Sequence, residues 1–381
     1  MDRAAQVAQF PRRYPIPETG CFSRCQKSTD RLEHCENIRK LLTRQHCCPT
    51  PTGGGIGQEG ANMLSSVELC AGAGGQAVGL EQAGFDHSAL VEIDAHCCAT
   101  LRSNRPQWNV VEDDLRIFKE RATSFAGIDL LAGGLPCPPF SVAGKQLGAA
   151  DERNLFPDAI DIIAATRPRA VMIENVRGFL DAVFQDYREG LKRQLEKLGY
   201  KTEWRLLNAS DYGVPQLRPR VVIVAIEHSS AEHFDWPTPH PHNPPTVGAV
   251  LRDMMAANGW RGASAWAKRA DEIAPTIVGG SKKHGGPDLG PTRARAAWAT
   301  LGVNGKTVAE DAPEADFVGM PRLTVPMVAR IQGFPDDWHF TGRKTAAYRQ
   351  VGNAFPPPVA RAVGENVRAA LTPIRMYEVS A

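Results

Sequence analysis

The stretch that most restricts what this chain can become is Gly133 to Lys145, GGLPCPPFSVAGK. The short apolar run before it, Ile128-Asp129-Leu130-Leu131-Ala132, reads as a buried strand that the two glycines end. Pro136, Pro138 and Pro139 then bracket Cys137. Proline fixes φ and removes a donor, so the chain leaving the strand is stiff. A thiol at the carboxyl end of a strand in an α/β sheet stands where such sheets hold their ligands, which suits a nucleophile. A cysteine is as often a small core hydrophobe, so the rest of the chain decides.

The flanking sequence supplies an α/β frame. Leu64 to Cys70 reads as a strand, followed by Ala71-Gly72-Ala73-Gly74-Gly75 and an amphipathic helix through Val78, Leu80 and Ala83. Strand, glycine turn and helix open a nucleotide-type fold, in which glycines let the backbone approach a ligand at the helix N-terminus. The strict dinucleotide glycine spacing is not met. A second strand, Ala89 to Ile93, delivers Glu92 and Asp94, where these folds set an acid on a ribose hydroxyl. Glu92 is the better choice, because Asp94 suits a helix cap equally well. Val110 to Asp114 gives a third strand. Beyond the Cys137 loop, Asn154 to Thr166 has helical spacing, and Arg169 to Glu174 is a strand closed by Glu174-Asn175-Val176. Two successive strands thus bring a thiol and a carboxylate to one sheet edge. Phe179 to Leu198 reads as a helix, and Thr202 to Leu207 and Val221 to Ile226 as strands. Between those strands, alternation puts Gln216, Arg218 and Arg220 on one side, a pattern that fits a solvated salt-bridge face as well.

From Glu227 to Met320 the periodicity fades, and Trp236, Trp260, Trp266 and Trp298 mix with Lys282, Lys283, His284, Arg293 and Arg295. Such a mixture suits nucleic-acid contact, and also any irregular small domain. Helical spacing returns at Val325 to Ile331, and a helix from Pro358 to Leu371 closes the chain. With a net charge of only +2, contact with a polyanion must come from local patches. No apolar run is long enough to span a membrane and the first residues lack an apolar signal core, so a cytoplasmic location is expected. Residues 1–62 hold five of the nine cysteines without paired C-x2-C knuckles, so no metal site is expected there. They read as a disordered or non-native extension, with Met63, set against the first strand, as the natural start. A chain beginning at Met63 should therefore match the full chain in activity and melting temperature; loss of either on truncation would make the extension a working domain.

In order, these motifs resemble the cytosine-5 DNA methyltransferases from Leu64 to the end of the chain. ELCAGAGG (Glu68 to Gly75) is similar to their first SAM-binding motif, VEID carries the ribose acid as Glu92, and DDL carries the adenine-contacting aspartate as Asp114. GGLPCPPFS resembles the nucleophile loop, ENV the base-protonating motif, and QLRPR the Gln-x-Arg-x-Arg element. RLTVPMVARIQGFPDDW (Arg322 to Trp338) and QVGNAFPPPVA (Gln350 to Ala360) resemble the two closing motifs. Each is modest alone; their common order is specific.

The resemblance implies a SAM-dependent methyltransferase fold, a Rossmann-like doubly wound α/β sheet with a small, irregular target-recognition domain. Residues 63–226 would be the SAM-binding catalytic domain, 227–320 the recognition domain, and 321–381 a return to the catalytic domain. It implies catalysis by Cys137, Glu174, Arg218 and Arg220. S-adenosyl-L-methionine would be bound by Glu68, Cys70, Ala71, Gly72, Gly74, Gly75, Glu92, Ile93, Asp114, Leu115, Pro136, Asn353 and Ala354. Double-stranded DNA would be contacted by Ser141, Gln216, Lys282, Lys283, Arg293 and Arg295, with no metal. A bacterial restriction-modification setting follows, with a monomeric enzyme on nucleoid DNA and a cognate restriction endonuclease acting on the same site without direct contact.

Three positions depart from the family pattern: Cys70 stands for the usual aromatic, Pro138 follows the nucleophile where Gln is common, and Met327 replaces a glutamate. None removes a reacting group. Two alternatives remain at this stage, an RNA (tRNA) cytosine-5 methyltransferase and a catalytically silent DNA-binding homologue. The long irregular insert favours DNA over RNA, and the intact Pro136-Cys137, Glu174 and Arg220 argue against a silent protein.

Overall fold

Strands β1 (Leu64–Leu69), β2 (Phe85–Glu92), β3 (Val110–Glu112), β4 (Leu130–Gly134), β5 (Ala170–Val176), β6 (Tyr200–Asn208) and β7 (Pro219–Glu227) form one seven-stranded sheet. The computed structural model describes residues 63–136, 154–240, 242–280 and 286–372. Readings that fall on residues 1–62, Cys137, Ser141, Lys282 and Lys283 lie outside the described residues. The strand order is β3-β2-β1-β4-β5-β7-β6, and β7 alone runs against its neighbours. Strands covered on both faces need apolar residues at nearly every position, which is why Leu130-Leu131-Ala132 and Ala170-Val171-Met172 read as unbroken runs.

Eleven described helices follow the strands in turn: α1 (Gly75–Gln82), α2 (Ala95–Asn104), α3 (Leu115–Phe118), α4 (Phe156–Thr166), α5 (Gln185–Lys197), α6 (Val247–Met255), α7 (Ala263–Arg269), α8 (Thr292–Thr300), α9 (Val325–Gln332), α10 (Lys344–Asn353) and α11 (Pro357–Leu371). Val67, Leu131, Ile173 and Ile223 face α4 and α5 on one side of the sheet. Ala132, Met172 and Val222 pack with α11 on the other. The last helix comes so close to the first that a Cβ on Gly79 would stand 2.4 Å from the Pro357 carbonyl oxygen.

Three sequence expectations need correction. β2 starts at Phe85, four residues before the expected Ala89. His87 hid the start: it is a polar residue buried in the strand, with Nδ1 2.8 Å from Ser66 Oγ and Nε2 3.0 Å from the Ala77 carbonyl. The expected helix Phe179 to Leu198 is two 3-10 turns, Arg177–Leu180 and Ala182–Phe184, and only then α5. The buried Arg188 holds those turns through its Nη1, which donates to the Phe179 and Asp181 carbonyls. The segment 227–320, expected to be irregular, carries α6, α7 and α8, and Trp260, Trp266 and Trp298 are its core. Met327, which stands for the family's glutamate in RLTVPMVARIQGFPDDW, closes the N-terminus of α9. Its sulfur accepts from the Thr324 amide at 3.4 Å while Thr324 Oγ1 accepts from the Met327 amide at 3.3 Å, a capping box closed by a thioether.

Candidate active site

The chain leaves β1 towards β2 and β3 on one side, then crosses to β4 on the other. The carboxyl ends of β1 and β4 therefore flank the switch point, where open α/β sheets bind ligands. The glycine turn follows β1. Cys70, Gly72 and Gly74 have φ of 54°, 56° and 89°, so three of five consecutive residues are left-handed. At Gly74 a side chain is excluded twice over, since its Cβ would also lie 2.8 Å from both Leu101 and Trp338. The Glu92 carboxylate stitches the turn to the end of β2, taking the Gly72 amide at 2.7 Å and those of Ile93 and Asp94 at 2.9 and 2.7 Å. Burial pushes the Glu92 carboxyl up, and these three amides pull it back. Asp94 caps α2 through the amides of His96 and Cys97.

These residues fit S-adenosylmethionine. Glu68, at the end of β1, is 1% exposed, and its Oε2 has no hydrogen-bond partner among the described residues. Burial raises its carboxyl well above the usual range. A buried acceptor without a donor, beside a turn that exposes backbone to a ligand, matches the ammonium group of the cofactor. Ile93 stands 64% exposed beyond Glu92, an apolar face next to the turn that would suit an adenine ring. Burial drives the Cys70 thiol far up, so it stays a neutral wall. Asp114 caps α3 by accepting from the Arg116 amide at 2.9 Å, and is half-buried. Leu115 turns its side chain into the core, leaving only its backbone for a ligand.

The second half of the site comes from β5 and β7. Because β7 is antiparallel, its first residues arrive at the edge where the parallel strands end, and Val176 pairs with Arg220. Glu174 and Val176 share a face, so Arg220 reaches Glu174 on the diagonal. Its Nε stands 2.7 Å from Oε1, with the two side chains 13% and 9% exposed. Glu174 is also opposite Gly134 at the end of β4, whose missing Cβ would lie 3.7 Å from Oε2. One carboxylate oxygen is thus held by a guanidinium while the other faces the strand that leads to Cys137. Burial pushes the Glu174 carboxyl up and prevails over the downward pull of Arg220 and Arg218.

The other two residues of QLRPR serve a different purpose. Arg218 is fully buried; it donates to the Ile277 carbonyl at 2.6 Å and to those of Gly352 and Ala354 at 2.8 and 2.9 Å. It ties the middle of the segment 227–320 to the closing GNA turn, a structural tie in the interior. Gln216 was expected on DNA, but it has no exposed surface. Its Nε2 donates to Gln332 at 2.6 Å and its Oε1 accepts from the Ile277 amide at 2.9 Å. That amide is spent inside the protein, so Gln216 leaves the DNA-contacting set. Asn353 turns its side-chain amide to the Gly280 carbonyl at 3.2 Å, while Ala354 is buried with its carbonyl held by Arg218 and Gln332. Arg293 is exposed on the first turn of α8 and Arg295 is half-buried. Sequence reasoning passed over Arg177, an exposed arginine that directly follows the Glu174 strand. Its place one residue after ENV was the available signal.

The profile of the C-5 cytosine-specific DNA methylase family matches residues 64–369. The Type II methyltransferase M.NaeI of Lentzea aerocolonigenes is 55% identical over 312 residues, 81% of this chain and 75% of that protein. M.NgoMIV of Neisseria gonorrhoeae is 53% identical over 316 residues, 81% of this chain and 98% of that one. Among solved structures, DNMT2 of Spodoptera frugiperda superposes with a TM-score of 0.54 at 19% identity, over 80% of this chain and 99% of that chain. The Entamoeba histolytica methyltransferase EhMeth gives 0.56 at 13%, over 81% and 99%. The structural likenesses are likenesses of fold, whereas the match to the family runs through both halves of the site, and this chain belongs to the C-5 cytosine-specific DNA methylases.

Proposed function

We propose that this chain, a SAM-dependent DNA cytosine-5 methyltransferase, works through a covalent adduct between Cys137 and a flipped cytosine. The observation that carries this reading is the buried Glu174–Arg220 pair beside the end of β4. Carbon 5 of cytosine is a poor nucleophile, and attack by a thiolate on carbon 6 turns the ring into an enamine that reacts there. An ordinary thiol, with a pKa of about 8.5, is only a few per cent ionised at neutral pH, so the Arg220 guanidinium assists Cys137. Charge then develops on ring nitrogen 3 and on the carbonyl oxygen. Glu174, with its carboxyl pushed up by burial, keeps a proton for the nitrogen, and Arg220 hydrogen-bonds the oxygen. Glu68, the glycine turn, Glu92, Ile93 and Asp114 would hold S-adenosylmethionine, which would supply the electrophilic methyl group and leave as S-adenosylhomocysteine. Loss of the carbon-5 proton to water and elimination of Cys137 from carbon 6 then restore the ring.

Trapping tests the nucleophile. DNA carrying 5-fluorocytosine, whose carbon 5 cannot lose a proton, should form a stable adduct with the native chain and none with Cys137→Ser. SAM affinity should not change. An adduct that persists in Cys137→Ser would end the assignment.

A base stacked in a duplex has to be flipped out, at a cost of about a few kcal/mol that protein contacts offset. Residues 227–320 supply those contacts on this reading, with Arg293 and Arg295 in the stretch DLGPTRAR (Asp288 to Arg295) as base readers, helped by Lys282, Lys283 and Ser141. Arg177 adds a phosphate contact beside the pocket. Arg293→Ala should cost roughly 1–3 kcal/mol of binding if it reads a base. Grafting 227–320 into a relative of different specificity should transfer the target site, as bisulfite sequencing of a plasmid with random sites would show. A recipient that keeps its own site refutes the assignment. DNA is favoured over RNA because the matching family is that of the C-5 cytosine-specific DNA methylases and the relatives at 53–55% identity are Type II methyltransferases. Those names also support a restriction-modification setting; on this reading a cognate endonuclease acts on the same site, and the chain works as a monomer on cytoplasmic DNA.

A further inference from the structure

The glycine turn is contacted from a part of the chain that lies at the other end of the sequence. Trp338 Nε1 donates to the Ala73 carbonyl at 3.1 Å, a buried bond across 265 residues. The indole covers the outer side of the turn, where a Cβ on Gly74 would fall 2.8 Å from it.

The position of the ring is set independently of the turn. The Arg105 guanidinium lies 5.3 Å from its centroid and is itself held by Glu81 at 3.0 Å. Phe334 stacks on it with centroids 6.2 Å apart. The residues that follow are strapped to α2. The His339 amide donates to Asn104 Oδ1 at 2.8 Å, Asn104 returns a bond to the His339 carbonyl at 2.7 Å, and the Thr341 amide donates to Thr100 Oγ1 at 2.9 Å. The N–H is thus aimed before the turn meets it.

We infer that Trp338 is a positioning residue for the cofactor: its indole N–H holds the Ala73 carbonyl and so sets the peptide planes of the turn that receives S-adenosylmethionine. The inference rests on the assignment of that turn as the cofactor site. Aromatic packing alone needs no donor at this point, and a phenyl or benzothiophene ring would fill much of the space. What the N–H adds is a fixed carbonyl direction between two left-handed residues, Gly72 and Gly74. A free Ala73 carbonyl would turn to find another donor and carry the Ala73–Gly74 peptide with it.

The test replaces the Trp338 indole in the full chain by its benzothiophene isostere, which keeps both rings and lacks only the N–H; Trp338→Phe serves as a second variant. SAM affinity by calorimetry should fall about tenfold in both, with kcat at saturating SAM and KM for DNA within about twofold of the native values. Phe340→Leu is the packing control. It thins the same cluster, where Phe334 and Phe340 meet edge to face at 5.0 Å, without touching the turn. It should lower the melting temperature and leave SAM affinity unchanged. Unaltered SAM affinity in the isostere, or an equal loss in Phe340→Leu, overturns the inference. Glu92→Gln separates the two levels. If it weakens SAM binding and the isostere does not, only the role of Trp338 fails; if neither weakens it, the turn is not the cofactor site and both fail.

Discussion

Glu174→Gln is expected to lower the rate of methyl transfer by about 10²–10⁴-fold, the usual worth of a placed general acid. Glutamine keeps the shape and can still meet Arg220, but it has no acidic proton to share with ring nitrogen 3. SAM affinity should be unchanged, because Glu174 belongs to the β5 half of the site and the glycine turn to the β1 half. The pH profile gives an independent reading. Burial raises the Glu174 carboxyl, and in the proposed mechanism the working form is the protonated one. Native activity should therefore fall as pH rises through that raised value, above the ordinary carboxylate pKa of about 4.3. In Glu174→Gln the remaining activity should lack this descent. An unaltered profile in the variant would show that another group governs it.

Arg218→Met is expected to act on stability. It removes the donor to three buried carbonyls, those of Ile277, Gly352 and Ala354, in a place without access to water. Breaking such a buried charged network costs about 3–5 kcal/mol, set against a typical total of about 5–15 kcal/mol. The melting temperature should drop by roughly 5–8 °C. Arg220→Met, only two residues away, should abolish most activity at a smaller cost in melting temperature, because Glu174, left without its guanidinium, can take up a proton. A thermal scan and a single-turnover assay on the two variants decide the matter. If Arg218→Met melts like the native chain and is inactive, Arg218 reacts with the substrate and the clasp is not its role.

The contrast between these two arginines shows where sequence reasoning stops. Alternation put Gln216, Arg218 and Arg220 on one side of the chain, and all three do serve the interior. Which of them meets the substrate depends on what covers that side, and the covers, Ile277, Gln332 and Gly352, lie far along the chain. The strands were legible because burial on both faces demands continuous apolar runs. β2 was read short because His87 is buried by hydrogen bonds, and hydrophobicity does not register those. The helices between 227 and 320 were missed for a different reason. They are nine, seven and nine residues long, barely two turns, and α8 is mostly alanine and arginine around one buried tryptophan. Periodicity needs more turns than that to show. The catalytic pair was legible as residue types, and its geometry follows from one topological fact, the reversal of β7.

The bonds that complete the cofactor site join the two ends of the methylase region. Ala73 waits for Trp338, Arg218 for Gly352 and Ala354, and α1 for α11, whose Pro357 carbonyl fills the space over Gly79. A ribosome that has finished the sheet has therefore not yet made an enzyme. Until the final helices emerge, the turn after β1 lacks its contacts with Trp338 and α11. Contacts of such long sequence separation slow folding, because the loop must be closed before they form. On that reading, a chain ending before Trp338 is expected to bind no S-adenosylmethionine and to leave no methyl marks on DNA.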